Sequence, residues 1–124
     1  MSIKVQNLLT EKARRFGASA SSADFQQIFL DAINYTLNDI DEALGITTDE
    51  VTSTSGTIDL DSQQYKGLIA YGIDVYMADM GAWSVSPDGD LRAKWREKLT
   101  TRLVNYLKEQ DVKGGIGDVD EDLS

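Results

Sequence analysis

The sequence predicts a mainly α protein: a compact bundle of four helices, with a protruding loop or β-hairpin between the second and third and a flexible acidic C-terminal tail. Three observations predict it. Four segments repeat apolar residues every three or four positions, the period of a helix that buries one face. Gly, Ser and Asp stand at the borders of these segments, where caps satisfy free backbone groups. The interval between the second and third segments is rich in Thr and Ser and alternates apolar with polar residues, which disfavours helix. At 124 residues the chain suits one domain with one core. Residues 1–110 form the predicted helical domain, residues 46–60 the protruding element, and residues 111–124 a tail that is extended or disordered until docked.

The first helix is expected over residues 3–16. Val5, Leu8, Leu9, Lys12 and Phe16 fall at helical spacing, and Gly17 follows where a left-handed C-cap belongs. Ser21 or Ser22 caps the second helix, expected over residues 23–44. Phe25, Ile28, Phe29, Ala32, Ile33, Leu37, Ile40 and Leu44 make its core stripe, and Asp24, Asp31, Asp39, Asp41 and Glu42 its opposite face. Val51, Ile58 and Leu60 alternate with polar residues around a turn at Ser55 and Gly56. Two short strands there would form a hairpin that must lean on helices or on another chain, because an isolated hairpin is marginal in water; a polar loop is the alternative.

Asp61 or Ser62 opens a third helix bearing Tyr65, Leu68, Ile69, Ile73, Tyr76, Met77 and Met80. Gly67, Ala70, Tyr71, Ala78 and Gly81 fill much of its remaining circumference, so it is expected to be buried on most sides. Gly67 and Gly72 cost about 1 kcal/mol each relative to Ala inside a helix, which points to close approach of another backbone. Ser86, Pro87 and Asp88 read as the N-cap, first-turn proline and dipole-favoured acid of a fourth helix running to about residue 110. Leu91, Trp95, Leu99, Leu103, Tyr106 and Leu107 make its apolar face.

Charge is segregated along this plan. Between Arg15 and Arg92 stand thirteen acids and a single base, Lys66, whereas residues 1–15 carry +3, residues 92–110 carry +4, and the tail carries −4, within a total of −9. Copies of such a chain attract one another, basic edge to acidic body, and an offset contact of that kind builds rings or filaments. Lys94, Lys98 and Arg102 lie at i, i+4 and i+8, with Arg92 and Arg96 a second like-charged pair. Such spacing weakens an isolated helix, so the ridge is expected either to meet carboxylates of another chain, or phosphate, or to be a solvated helix face partly neutralised by Glu97. The net charge argues against general nucleic-acid binding, although a local basic face can still bind phosphate.

Chemistry is sparse. With no Cys and no His the chain lacks thiolates, the commonest metal ligand and the commonest general base, so no catalytic, cofactor or metal residue is assigned. Asp118, Asp120 and Asp122 alternate like the start of a calcium loop, but the glycine and final carboxylate are missing. The run from Gly114 to Gly117 lacks the helix and lysine of a phosphate loop and reads as a linker. Asn34-Tyr35-Thr36 matches a glycosylation acceptor, yet it falls inside a helix. With no apolar run long enough for a membrane span and no signal-like N-terminus, the expected site of synthesis is the cytoplasm.

The segments FQQIFLDAINYTLNDIDEALG, YKGLIAYGIDVYMADMGAW and PDGDLRAKWREKLTTRLVNYL, set around the Thr/Ser-rich excursion, together resemble the layout of the small head-to-tail connector proteins of tailed bacteriophages, also called adaptors or head-completion proteins. The resemblance covers residues 3–110. It implies a virion protein at the head–tail junction, forming a homo-oligomeric ring between the portal and a tail or nozzle protein, through which double-stranded DNA passes without specific binding. On that basis Arg92, Lys94, Arg96, Lys98, Arg102, Val51, Ile58, Leu60 and Tyr71 are candidate subunit or partner contacts, and Asp31, Asp39, Asp41 and Glu42 are candidate acids of the channel wall. The alternative is a small helical regulatory module that holds nucleic acid on its basic fourth helix. An enzyme using two carboxylates ranks below both, since no acidic pair stands out from so acidic a background.

Overall fold

The structure, a computed structural model, describes residues 2–80 and 89–114, with side chains placed for residues 2–80 and 92–110. Among the described residues it is mainly helical, with four helices and a small two-stranded sheet. Strand β1 (Ile3–Lys4) leads into helix α1 (Val5–Phe16); α2 (Ala23–Leu44), β2 (Thr57–Ile58), α3 (Ser62–Asp79) and α4 (Gly89–Gly114) follow. The expected start of the first helix is therefore corrected: residues 3 and 4 are strand.

The predicted caps set the helix ends. Gly17 (φ 68°) and Gly45 (φ 69°) close α1 and α2 in the left-handed region, which costs a glycine little because it has no Cβ to clash. Ser22 Oγ accepts the Phe25 N–H at 3.3 Å, and an Asp61 carboxylate oxygen accepts the Gln64 N–H at 3.2 Å, opening α2 and α3. Ser86 and Pro87, the expected start of α4, lie outside the described residues. That helix runs to Gly114, so residues 111–114, assigned to the tail by sequence, are helical. Residues 115–124 are outside the description.

The core forms where α2 meets α3, with Phe25, Phe29, Ile33, Ile40, Ile69, Ile73 and Met77 all at 0% exposure. On the expected stripe of α2, Phe25, Phe29, Ala32, Ile33, Leu37, Ile40 and Leu44 are buried and Ile28 packs partly covered against them. Helix α4 adds Trp95 to the same core, and α1 adds Leu8, Leu9 and Phe16. Lys12 sits on the apolar face of α1 and is buried; its ammonium lies 2.8 Å from Asp74 of α3, which also takes Arg15 Nε at 3.1 Å. Burial of that lysine depends on the carboxylate, since an uncompensated buried charge is strongly destabilising.

The excursion does not form its own hairpin. Thr57–Ile58 pairs antiparallel with β1 in the register Ile3–Ile58 and Lys4–Thr57, extended by the Val5 N–H donating to Gly56 O at 3.2 Å. The expected turn is present, with the Gly56 N–H reaching Ser53 O at 3.1 Å. The other expected strand is replaced by a side chain: Asn34 donates to Val51 O at 2.9 Å and accepts the Val51 N–H at 2.8 Å. Both backbone groups of Val51 are thereby satisfied without a ladder. Asp41 accepts the N–H and the hydroxyl of Thr48, each at 3.1 Å, so the excursion is tied onto α2 at two places rather than protruding there.

Gly72 and Gly67 part company. A Cβ at Gly72 would lie 2.5 Å from Thr36 Cγ2 and 2.7 Å from Trp95 Cη2, which marks a close approach of α2 and α4 side chains to α3. The neighbours are side chains, not the backbone that the sequence led one to expect. At Gly67 a Cβ would meet nothing within 4 Å.

Candidate interaction surface

Helix α4 carries all five candidate basic residues, and the fold divides them. Three sit over tyrosines of α3 in antiparallel order: the Arg92 guanidinium 5.5 Å from the Tyr76 ring centre, Lys98 Nζ 4.8 Å from Tyr71, and the Arg102 guanidinium 5.0 Å from Tyr65. Each contact draws a cation to the negative face of a ring. Arg92 also pairs with Asp79, and Arg102 with Glu109 at 2.6 Å. Lys94 and Arg96 are exposed and have no ion pair among the described residues. Thus the ridge is in part an internal clasp between α3 and α4, and only its flanks remain free.

Those flanks border two grooves. One, of about 410 Å³, lies between α3 and α4 and is lined by Gln64, Gly67, Leu68, Lys94, Glu97, Lys98, Thr101, Arg102 and Asn105. The absence of a side chain at Gly67 leaves its wall open. The other, of about 340 Å³, is lined by Asp39, Glu42, Ala43, Tyr76, Arg92, Trp95, Arg96 and Leu99.

At the base of the second groove three helices meet on one carboxylate. Asp39 of α2 accepts the Tyr76 hydroxyl of α3 and the Trp95 Nε1–H of α4, the latter at 2.8 Å. Burial pushes the Tyr76 phenol up to about 12, helped by its bond to Asp39 and opposed by Arg92. The Tyr76 hydroxyl donates to the carboxylate, so the bond ties α3 to α2.

The remaining candidates divide the same way. Val51 and Ile58 are core residues, 6% and 2% exposed, so their assignment to a surface contact is corrected for the folded chain: their apolar bodies are used by the chain itself. Leu60 packs partly buried against that core, and Tyr71 stacks on Trp95 with ring centres 6.4 Å apart. Of the candidate channel acids, Asp39 and Asp41 are taken up by the internal bonds already described. Asp31 accepts from Gln27 at 3.1 Å and is half-buried, whereas Glu42 is exposed. The outer surface of α4 also exposes Val104 by 45% and Leu107 by 53%.

Sequence reasoning missed the Asp39 junction and the Lys12–Asp74 pair. A lysine at an apolar-face position was the available signal for the latter. The junction had none, because Asp39 and Trp95 were placed on separate helices whose mutual orientation periodicity does not fix. Compared with known proteins, the chain matches no family model, no curated protein and no solved structure.

Proposed function

We propose that the chain is a structural subunit, a compact helical bundle that assembles into a ring at the head–tail junction of a virion, without catalysis. The observation that carries this reading is surface charge left unneutralised by folding. Lys94, Arg96 and Lys108 on α4, and Asp24, Glu42, Asp49, Glu50 and Asp59 on α2 and the excursion, are exposed without ion pairs among the described residues. Opposite charges free on one subunit steer head-to-tail contacts between copies and fix their register. Exposed Val104 and Leu107 supply apolar area for such a contact. In a ring, Glu42 and Asp31 are the candidates left to face passing DNA, where carboxylates repel phosphate instead of replacing its counterions. Portal and tail proteins are the expected neighbours, and the chain would act in the virion after synthesis in the host cytoplasm.

Negative-stain imaging of the purified protein with a portal tests this. Closed rings seated on the portal are expected, and persistent monomers that never bind it would remove the proposal. Salt-sensitive binding of duplex DNA, lost when Lys94 and Arg96 are reversed, would favour the nucleic-acid module instead.

A further inference from the structure

We infer that the groove between α3 and α4 is a receptor for the acidic segment Asp118–Asp122 of a neighbouring copy of this chain; that the donor is a neighbour rests on the ring reading above. The groove is cationic, with Lys94, Lys98 and Arg102 against a single lining acid, Glu97. Lys94 and Lys98 have no ion pair among the described residues, whereas Arg102 is already paired with Glu109, so the wall keeps cationic charge that its own fold does not neutralise. Four of the five residues 118–122 are acidic, the densest such run in the sequence, and they follow three glycines at 114, 115 and 117.

Reach decides between the same chain and a neighbour. Because α4 is helical to Gly114, Arg102, Lys98 and Lys94 lie back from that end by about 18, 24 and 30 Å at the rise of an α-helix. A chain that reverses through Gly117 has only about 16 Å of extended length in residues 118–122. It falls short of Lys98 and Lys94 on its own helix, whereas a neighbour's segment can enter along the groove.

The test uses the full chain with Asp118→Asn, Asp120→Asn, Glu121→Gln and Asp122→Asn, so that its own segment does not compete, and a fluorescent synthetic peptide of residues 115–124. Saturable binding that tightens at low salt is expected, weakened by about tenfold when Lys94→Glu and Asn105→Glu are added, since attraction becomes repulsion at two places. No saturable binding, or binding indifferent to those two changes, would overturn the inference; so would a groove that takes duplex DNA and ignores the peptide. Sedimentation of the unaltered chain separates the two proposals. Rings without peptide binding remove this inference alone, and monomers that bind the peptide remove the ring and the neighbour as donor while keeping the groove as a receptor for the acidic segment.

Discussion

The two sides of α4 are built on different terms. Toward the core, Trp95 is 2% exposed, donates to Asp39 and packs on Gly72, while Arg92, Lys98 and Arg102 rest on the tyrosines of α3. Beside them, Lys94 and Arg96 border the two grooves with no ion pair among the described residues, and Val104 and Leu107 are exposed. One helix thus carries residues whose loss costs folding and others whose loss should cost only association. The contrast teaches that a run of like charges in sequence need not serve one purpose: spacing of i, i+4 and i+8 places cations on one stripe, but the neighbouring helix decides which of them become internal.

The largest expected effect lies at the three-helix junction. Trp95→Ala should destabilise the chain by about 3–5 kcal/mol, because it removes a buried ring and leaves a void beside Gly72, with Asp39 short of a donor. Denaturant melts would measure it, and a loss below about 1 kcal/mol would show that the junction does not hold the helices together.

The paired glycines sharpen the comparison. Gly72→Ala should cost about 1–3 kcal/mol through overpacking against Thr36 and Trp95. Gly67→Ala, facing open groove, should instead stabilise by up to about 1 kcal/mol through helix propensity. Equal effects in thermal melts would mean that the two walls of α3 are not as different as described.

A smaller effect concerns pH. Tyr76 ionises near 10 when unfolded and at about 12 when folded. Between those values the unfolded chain has released the proton that the folded chain keeps, so this contribution to stability is complete below pH 10 and is lost as pH rises toward 12. Tyr65, also raised by burial, acts in the same direction. Tyr76→Phe should therefore flatten the alkaline loss of stability in part but not abolish it. An unchanged slope would place Tyr76 outside the titration.

Much of the fold was legible because it is local. The bounds of α2, the caps at Ser22, Asp61, Gly17 and Gly45, and the core stripe of α2 follow from side chains acting within a turn or two of themselves. What the sequence hid was non-local. Ile58 pairs with Ile3 across more than fifty residues, and Asn34 replaces a strand for Val51, choices set by tertiary burial that alternation in residues 51–60 does not encode. Of the candidate surface, the stripe of bases was visible, but its division into seated and free cations depended on where Tyr65, Tyr71 and Tyr76 fall across the groove.

In the proposed ring, the free flanks of α4 join copies of the chain. Native mass spectrometry of the unaltered chain beside the Lys94→Glu, Arg96→Glu variant tests it most directly. A closed oligomer is expected for the first and mostly monomer for the second, with thermal stability of the monomer changed by no more than about 0.5 kcal/mol, as for exposed sites generally. An unaltered chain that stays monomeric, or a variant that assembles as well as its parent, would contradict it.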